Sequence, residues 1–388
     1  MPTTETGNLS RLVYVPETLF GTTPATPTGQ VLRQKGFTQD AERKYIDNTE
    51  LRTDSMVPAG RGGALRGKGS VDGWLSYGTY DDLLAAALGN FIWSANVIKV
   101  KPIVTDTAAT LQITAATKTI TRPAGSFITD GFIVGDYVNL TGFTNAGNIG
   151  MATLATVAAL TMTWNAAPTT LVAVDEGANP AGACIVNIRP SFTFERQHLA
   201  NGLYFPAIGG VINGFEMSGK TNAAVEVKFD YIVKQAANET GTSVFTALTA
   251  VNTNPLITAW DGSVKNGGVT MANIVGWNVK ASRELDIAEV VASSVLYDIQ
   301  PRATHVTGSI ELYFSDYAMY TAMRAETDLD IVIALGPGGT KSYTMELTAC
   351  RVKTWKSVPK EGLMTATVEI ESYAPTGSNT SCMITRLP

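Results

Sequence analysis

The residues Gly214-Phe215-Glu216-Met217-Ser218-Gly219-Lys220-Thr221 match the phosphate-loop pattern GxxxxGK[ST] letter for letter. That pattern holds nucleotide phosphates where it opens a helix, because the first N–H groups of the helix then point at the phosphates. Here the following residues alternate instead. Val225, Val227, Phe229 and Tyr231 fall on one side, and Glu226, Lys228 and Asp230 on the other. Alternation at period two is a strand signal, and Phe215, Glu216 and Met217 are too large for a tight loop. The stretch reads as a β-hairpin, not a nucleotide site. Gly62 to Lys68 is a weaker near-match, with Gly69 where a hydroxyl residue belongs and a strand after it.

Other chemistry is equally thin. The two histidines, His198 and His305, have no companions at metal-ligand spacing, which argues against a zinc site or a histidine-based triad. No GxSxG nucleophile elbow occurs. The acidic pair Asp81-Asp82 stands where a helix begins, a position that suits the helix dipole, and Asp175-Glu176 is the other such pair. Cys184, Cys350 and Cys382 are odd in number and lack CxxC spacing, so reduced thiols are expected. No enzymatic activity, cofactor or metal is expected.

Composition points the same way. The 388 residues suffice for two or three domains. Only 16% are charged against 45% hydrophobic, which fits a chain that buries surface against other subunits. A net charge of −5 argues against gripping nucleic-acid phosphates. The polar start, Met1 to Ser10, has no apolar core of a secretory signal, and no apolar run approaches the roughly 20 residues of a membrane span. The expected place of synthesis is the cytosol, with exit only as part of a particle.

The elements that carry these residues are strands. Gly69-Ser70-Val71-Asp72-Gly73-Trp74 returns as Gly308-Ser309-Ile310-Glu311-Leu312-Tyr313. Each copy runs into a short helical stretch, Asp81 to Leu88 closed by Gly89 and Asp316 to about Ala325. Tyr80 and Tyr317 flank these helices and are candidates to pack on a neighbouring subunit. Strands are expected at Ser191–Arg196, Gly210–Met217, Ala223–Val233, Gly276–Lys280, Asp330–Leu335, Ser342–Trp355 and Met364–Ser372, with Thr365–Tyr373 mirroring Ala223–Tyr231. The fold class is mainly β: duplicated sandwich or barrel units, each with a short flanking helix, plus a small inserted β domain. The first unit takes residues 1–102 and 189–234, the insert 103–188, a linker 235–269 and the second unit 270–388.

Within this plan, residues 1–30 read as an extended arm and Gln30 to Thr38 as a strand. The charged stretch from Gln39 leads into the bend Pro58-Ala59-Gly60-Arg61-Gly62-Gly63. It is either a solvated hairpin loop or a contact arm that orders on assembly. The insert is rich in Thr, Ala and Val, and Gly131 to Leu140 reads as two short strands around a turn.

Several stretches together resemble one family. Glu17-Thr18-Leu19-Phe20-Gly21-Thr22-Thr23-Pro24, the Asp54 to Arg61 bend, and Gly69-Ser70-Val71 into Trp74 and Tyr77-Gly78-Thr79-Tyr80-Asp81-Asp82-Leu83-Leu84 are similar to the major tail-tube proteins of long-tailed bacteriophages. The pattern of 189–231 and 270–388 extends the resemblance over most of the chain outside 103–188. No single residue is diagnostic; the order is. The resemblance implies packed β-sheets with a flanking helix, joined into rings that stack as a hollow tube for DNA. Two tube units per chain suggest a trimeric ring with pseudo-sixfold symmetry, the hexamer being the alternative. Implied partners are further copies of the chain, the tape-measure protein and transiting DNA in the lumen, and the tail terminator and distal tail proteins, with no membrane. A single-ring baseplate hub or head–tail terminator is the second reading, and a carbohydrate-binding or hydrolytic β protein the third. Asp72 and Glu311, opposite in strand phase to Val71 and Ile310, are candidates to face the lumen. Glu42, Arg43, Lys44, Asp47, Glu50, Arg52, Asp54 and Arg61, together with the N-terminal arm, are candidates for contacts between rings.

Overall fold

The computed structural model describes residues 7–51, 53–54, 56–93, 96–100, 104–165, 171–178, 182–187, 189–291, 293–336, 340–358, 362–375 and 380–388. Alternating apolar residues make most of these strands, as period-two patterning dictates. The first group holds β1 (Ser10–Glu17), β2 (Thr28–Val31), β3 (Gly36–Ile46), β4 (Arg61–Trp74), β5 (Ser191–His198), β6 (Leu203–Lys220) and β7 (Glu226–Ala236). The second holds β8 (Ile274–Ala288), β9 (Asp298–Tyr313), β10 (Leu329–Leu335), β11 (Ser342–Val358), β12 (Thr365–Ser372) and β13 (Cys382–Leu387). Helix α1 (Asp81–Ala87) follows β4, and α2 (Ala318–Arg324) follows β9.

The two groups pair in the same order. β3–β4–β7–β6–β5 in the first corresponds to β8–β9–β12–β11–β10 in the second. Three register breaks recur at matching places. They lie between Arg43 and Tyr45 and between Arg283 and Leu285, between Ile212 and Gly214 and between Val352 and Thr354, and between Phe192 and Phe194 and between Leu329 and Ile331. A bulge re-aims every later side chain and pins register, so shared bulges equate residues one by one. Phe229 lies opposite Val71 and Val368 opposite Ile310, so Phe229 corresponds to Val368. The sequence mirror, which set Phe229 against Glu371, is thereby corrected: alternation gives the face of a strand but not its register.

The groups are joined strand to strand. The C-terminal half of β6, Gly214–Lys220, runs antiparallel to Gly276–Ser282 of β8. Gly214 lets the strands approach, since a Cβ there would stand 2.1 Å from the Ala281 carbonyl oxygen. One apolar core spans both groups, with α1 inside it. Leu83, Leu84, Ala85, Ala86 and Ala87 of α1 are all buried, as expected of a helix apolar on every side.

Residues 105–187 carry a separate seven-stranded sheet with its own core around Leu111, Phe127, Phe132, Val138 and Leu154. It touches the segment after α1 through Phe91, stacked on Tyr137 at 4.7 Å. In it Arg122, buried, binds Asp106 and Asp130 at 2.6 Å each and lies over Phe127.

Several expectations change. Residues 10–17 of the expected arm are β1, paired along its length with β5, with Leu12, Val13 and Tyr14 buried, so this segment is sheet and not a free reach to another ring. The strand expected from Gln30 to Thr38 breaks at residues 32–35 into β2 and β3, where Leu32 turns into the core. Within Gly131–Leu140 only the part from Tyr137 on is strand. Gly131 and Gly135 take positive φ, Asp136 accepts the Ile133 N–H, and Phe132 drops into the core as part of a turn. Tyr80 is fully buried and donates to the Arg33 carbonyl, so it offers nothing to a neighbour; Tyr317 is exposed.

Candidate assembly surface

Alternation along β4, β7, β6, β8, β9, β12 and β11 sends one set of side chains to the core and the other to solvent. Asp72 and Glu311 belong to the solvent set, half-buried beside buried Val71 and Ile310. Asp72 lies opposite Lys228, Lys228 opposite Glu216, and Glu216 opposite Lys280. Ion pairs on this face join Lys35 to Glu226 at 2.9 Å, Lys228 to Asp230 at 3.4 Å, Lys353 to Glu371 at 2.6 Å and Lys356 to Glu369 at 3.1 Å. These pairs are solvent-exposed and add little stability. Their effect is a mixed, locally neutral surface in which each of these ammonium groups faces a carboxylate.

The hairpin of β3 and β4 projects from the sheet. Glu42, Arg43 and Lys44 lie on β3, Asp47, Glu50 and Asp54 in its loop, and Arg61 opens β4, all exposed; Arg52 lies outside the described residues. Glu42 reaches Lys68 at 3.3 Å. The loop also exposes Leu51, Met56 and Val57, apolar side chains that the charge pattern had drawn attention away from.

Among the strand edges that carry no second ladder partner in the described residues, two are equivalent to strands of the internal joint. β3 pairs only with β4, and the C-terminal half of β11, from Arg351, only with β12. Long unpaired edges are pairing templates for another chain.

Several other polar groups hold the fold. The Asp81 carboxylate accepts from the Tyr343 hydroxyl and from Arg386 at 2.5 Å each, which fastens α1 to β11 and β13. Burial and the Asp81 charge push the Tyr343 hydroxyl far above the usual tyrosine range. Asp82 accepts from Tyr14 at 3.0 Å. The helix-dipole reading of this acidic pair is therefore incomplete. Glu17, buried, accepts from Ser191, Thr193 and the N–H groups of Gly21 and Gly209 at 2.7–2.8 Å. The Glu17 to Gly21 motif is a staple between β1, β5 and β6. Asp175 and Glu176 cap backbone N–H groups of Ala115 and Thr144. His198 meets Ser10 at 2.9 Å and His305 meets Glu284 at 3.4 Å, far apart in the sheet order. Cys350 and Cys382 are buried free thiols, pushed by burial up to about 12. Among the described residues no three His, Cys, Asp or Glu side chains are grouped to hold a metal. The phosphate-loop match is the end of β6, and Asn222 follows in a turn with φ of 60°. Sequence reasoning missed Arg283, which is buried with its guanidinium on the Ala86 carbonyl at 3.2 Å. Its one signal was the recurrence of Ala-x-Arg at 41–43 and 281–283.

The sheet face and the open edges of β3 and β11 are surfaces suited to assembly with further chains. The chain belongs to the phage tail tube protein family, which it matches over residues 7–377. No curated protein matches it by sequence. It is thus a structural component of a phage tail, of a family that self-assembles into a tube. No helix among its described residues is long and apolar enough to cross a membrane.

Proposed function

We propose that the chain forms rings that stack into the hollow tail tube of a siphovirus-type phage, through which DNA leaves the virion, and that it catalyses nothing and needs no cofactor. The observation that carries this reading is the charge-compensated solvent face shared by both strand groups. Such a face lining a bore offers DNA no run of uncompensated cations, and phosphate binding strengthens with each basic contact. Asp72 and Glu311 are its acidic lumen residues. Residues 1–102 and 189–234 form one tube unit and 270–388 the second, 235–269 links them, and 103–188 decorates the outer wall. Three chains then supply six units per ring. The loop residues Asp47, Glu50 and Asp54, with Lys44 and Arg61, reach toward the next ring, aided by exposed Met56 and Val57. The tape-measure protein occupies the lumen before DNA, terminator and distal tail proteins close the two ends, and assembly takes place in the host cytoplasm.

Negative-stain electron microscopy of concentrated protein, with light scattering alongside, tests this. Hollow stacked rings with threefold class averages are expected. Single rings that never stack would move the protein to a hub or terminator, and sixfold averages would reject the trimer.

A further inference from the structure

The joint between the two strand groups has an unfilled twin. The shared bulges equate β6 with β11, so Phe215 corresponds to Trp355, Glu216 to Lys356 and Met217 to Ser357. They likewise equate β3 with β8, so Phe37 corresponds to Trp277, Asp40 to Lys280, Ala41 to Ala281 and Arg43 to Arg283. Inside the chain the β6 edge is covered by β8, with Phe215 opposite Ala281, Glu216 opposite Lys280 and Met217 opposite Val279. Among the described residues no second strand pairs with the equivalent β11 edge or the equivalent β3 edge.

We propose that β3 of a second copy of this chain adds to the C-terminal half of β11 in the register of the internal joint. That register sets Trp355 against the partner subunit's Ala41, Lys356 against the partner subunit's Asp40, Ser357 against the partner subunit's Gln39 and Val358 against the partner subunit's Thr38. The proposal rests on the tube reading and specifies its lateral seam.

Three independent observations support it. The first is charge. The internal joint sets Glu216 against Lys280, and the transferred register sets Lys356 against Asp40, with both signs reversed and the attraction kept. Opposite charges directly across a strand pair favour that register. The second is burial. Phe215, Trp277, Ala281 and Arg283 are 2%, 8%, 0% and 3% exposed, whereas Trp355 and Phe37 are half-buried and Ala41 and Arg43 exposed. The third is the helix. Arg283 donates to the Ala86 carbonyl in the last turn of α1, where a cation suits the helix dipole. By the same equivalence the partner subunit's Arg43 is directed toward the carbonyl of Met323, the position in α2 that Ala86 holds in α1. Helix α2 now buries only Met319, as a helix awaiting its second cover would.

The twin is not identical at one end. Thr354 stands where Gly214 admits the Ala281 carbonyl, so the Trp355 end of the seam must open to make room for the Thr354 side chain beside the partner subunit's Ala41 carbonyl, and the close pairing runs from Lys356 onward. β3 is fixed against the first group at Gln39, which donates to the Phe205 carbonyl at 2.7 Å and whose own carbonyl accepts from Arg196 at 3.1 Å. Glu42 and Arg43 then serve the neighbour in the same ring and leave the contact between rings to the loop beyond them. Head-to-tail use of two different edges closes a ring when the rotation allows, as the internal joint already does once per chain.

The test is disulfide trapping in the full chain with Cys184→Ser. Cα atoms directly opposite in an antiparallel pair lie about 4.5–5.5 Å apart, within disulfide reach. Asp40→Cys with Lys356→Cys is expected to give an interchain ladder ending at one closed covalent ring. Asp40→Cys with Ser357→Cys, whose side chain points to the other face, is expected to give none. Arg43→Ala is expected to leave the melting temperature unchanged and to raise the concentration needed for assembly about tenfold or more. Rings or tubes seen by microscopy without the Asp40–Lys356 crosslink would overturn this seam and leave the tube reading standing. Crosslinked rings that never stack would uphold the seam and overturn the tube. Protein that stays monomeric at every concentration would overturn both.

Discussion

The hairpins β3–β4 and β8–β9 are built alike and live differently. They share strand order and a bulge after Arg43 and Arg283, yet one stands in solvent and the other is packed on the first strand group. Leu296 and Ile299 of the second hairpin region sink beside Val211, and Arg66 and Glu289 pair at 2.6 Å across the two. Val57 of the first hairpin's loop is 91% exposed. The residue types do not account for this, since Ala41 and Ala281 are the same residue with opposite burial. The neighbour accounts for it: β8 has β6 beside it as a second strand, and β3 has β4 alone among the described residues.

The comparison can be broken most forcefully at the internal joint. Gly214→Val would drive a side chain into the Ala281 carbonyl. Overpacking of this kind costs about 3 kcal/mol or somewhat more where backbone must shift, read as a lowered urea midpoint. An unchanged midpoint would show that β6 and β8 do not need their close approach.

Arg283→Ala sharpens it. The variant loses a charged hydrogen bond in a site so dry that burial pulls the guanidinium down to about 10. The expected cost is roughly 1.5–3 kcal/mol, against no measurable change for Arg43→Ala in the unassembled chain. Equal losses for both in a urea titration would erase the distinction between the hairpins.

Tyr343→Phe removes the hydroxyl that donates to Asp81 and accepts the Gly78 N–H at 2.8 Å, contacts that tie α1 and the turn before it to β11. About 1–2 kcal/mol should be lost, measured by thermal unfolding. A neutral result would mean that Arg386 alone fastens α1 to the second group.

The smallest effect lies outside both hairpins, in the insert. Burial pushes the Glu176 carboxyl up, but hydrogen bonds from Asn148, Thr144 and Asn145 outweigh it and hold the group below its ordinary 4.5. A carboxyl lower in the folded state binds fewer protons there than unfolded. Its contribution is therefore present above about 4.5 and fades as pH falls through the folded value. Glu176→Gln should flatten the acid limb of stability below about pH 4.5, by roughly a few tenths of a kcal/mol for a partly exposed group. Tube assembly at neutral pH should not respond; if it does, the insert belongs to the seam.

The sequence by itself determined the local facts. Alternation around Val71 and Ile310 decided which side chains leave the core, the repeated Gly69 and Gly308 segments announced two similar units, and the apolar Leu83–Leu88 stretch required a covered helix. It also ruled the phosphate-loop match a strand, because Val225 to Tyr231 alternate. Each of these depends on side chains a few residues apart, where period and propensity act. Only the tertiary structure decided that Leu12 to Tyr14 are interior sheet, that Phe229 answers to Val368, that Asp81 fastens two strand groups, and that the edges of β3 and β11 have no second strand among the described residues. Register is set by bulges and by partners far along the chain, and edge status by which strands are missing. A pattern of period two is blind to both, because it records the face a side chain takes and not what lies beside its backbone.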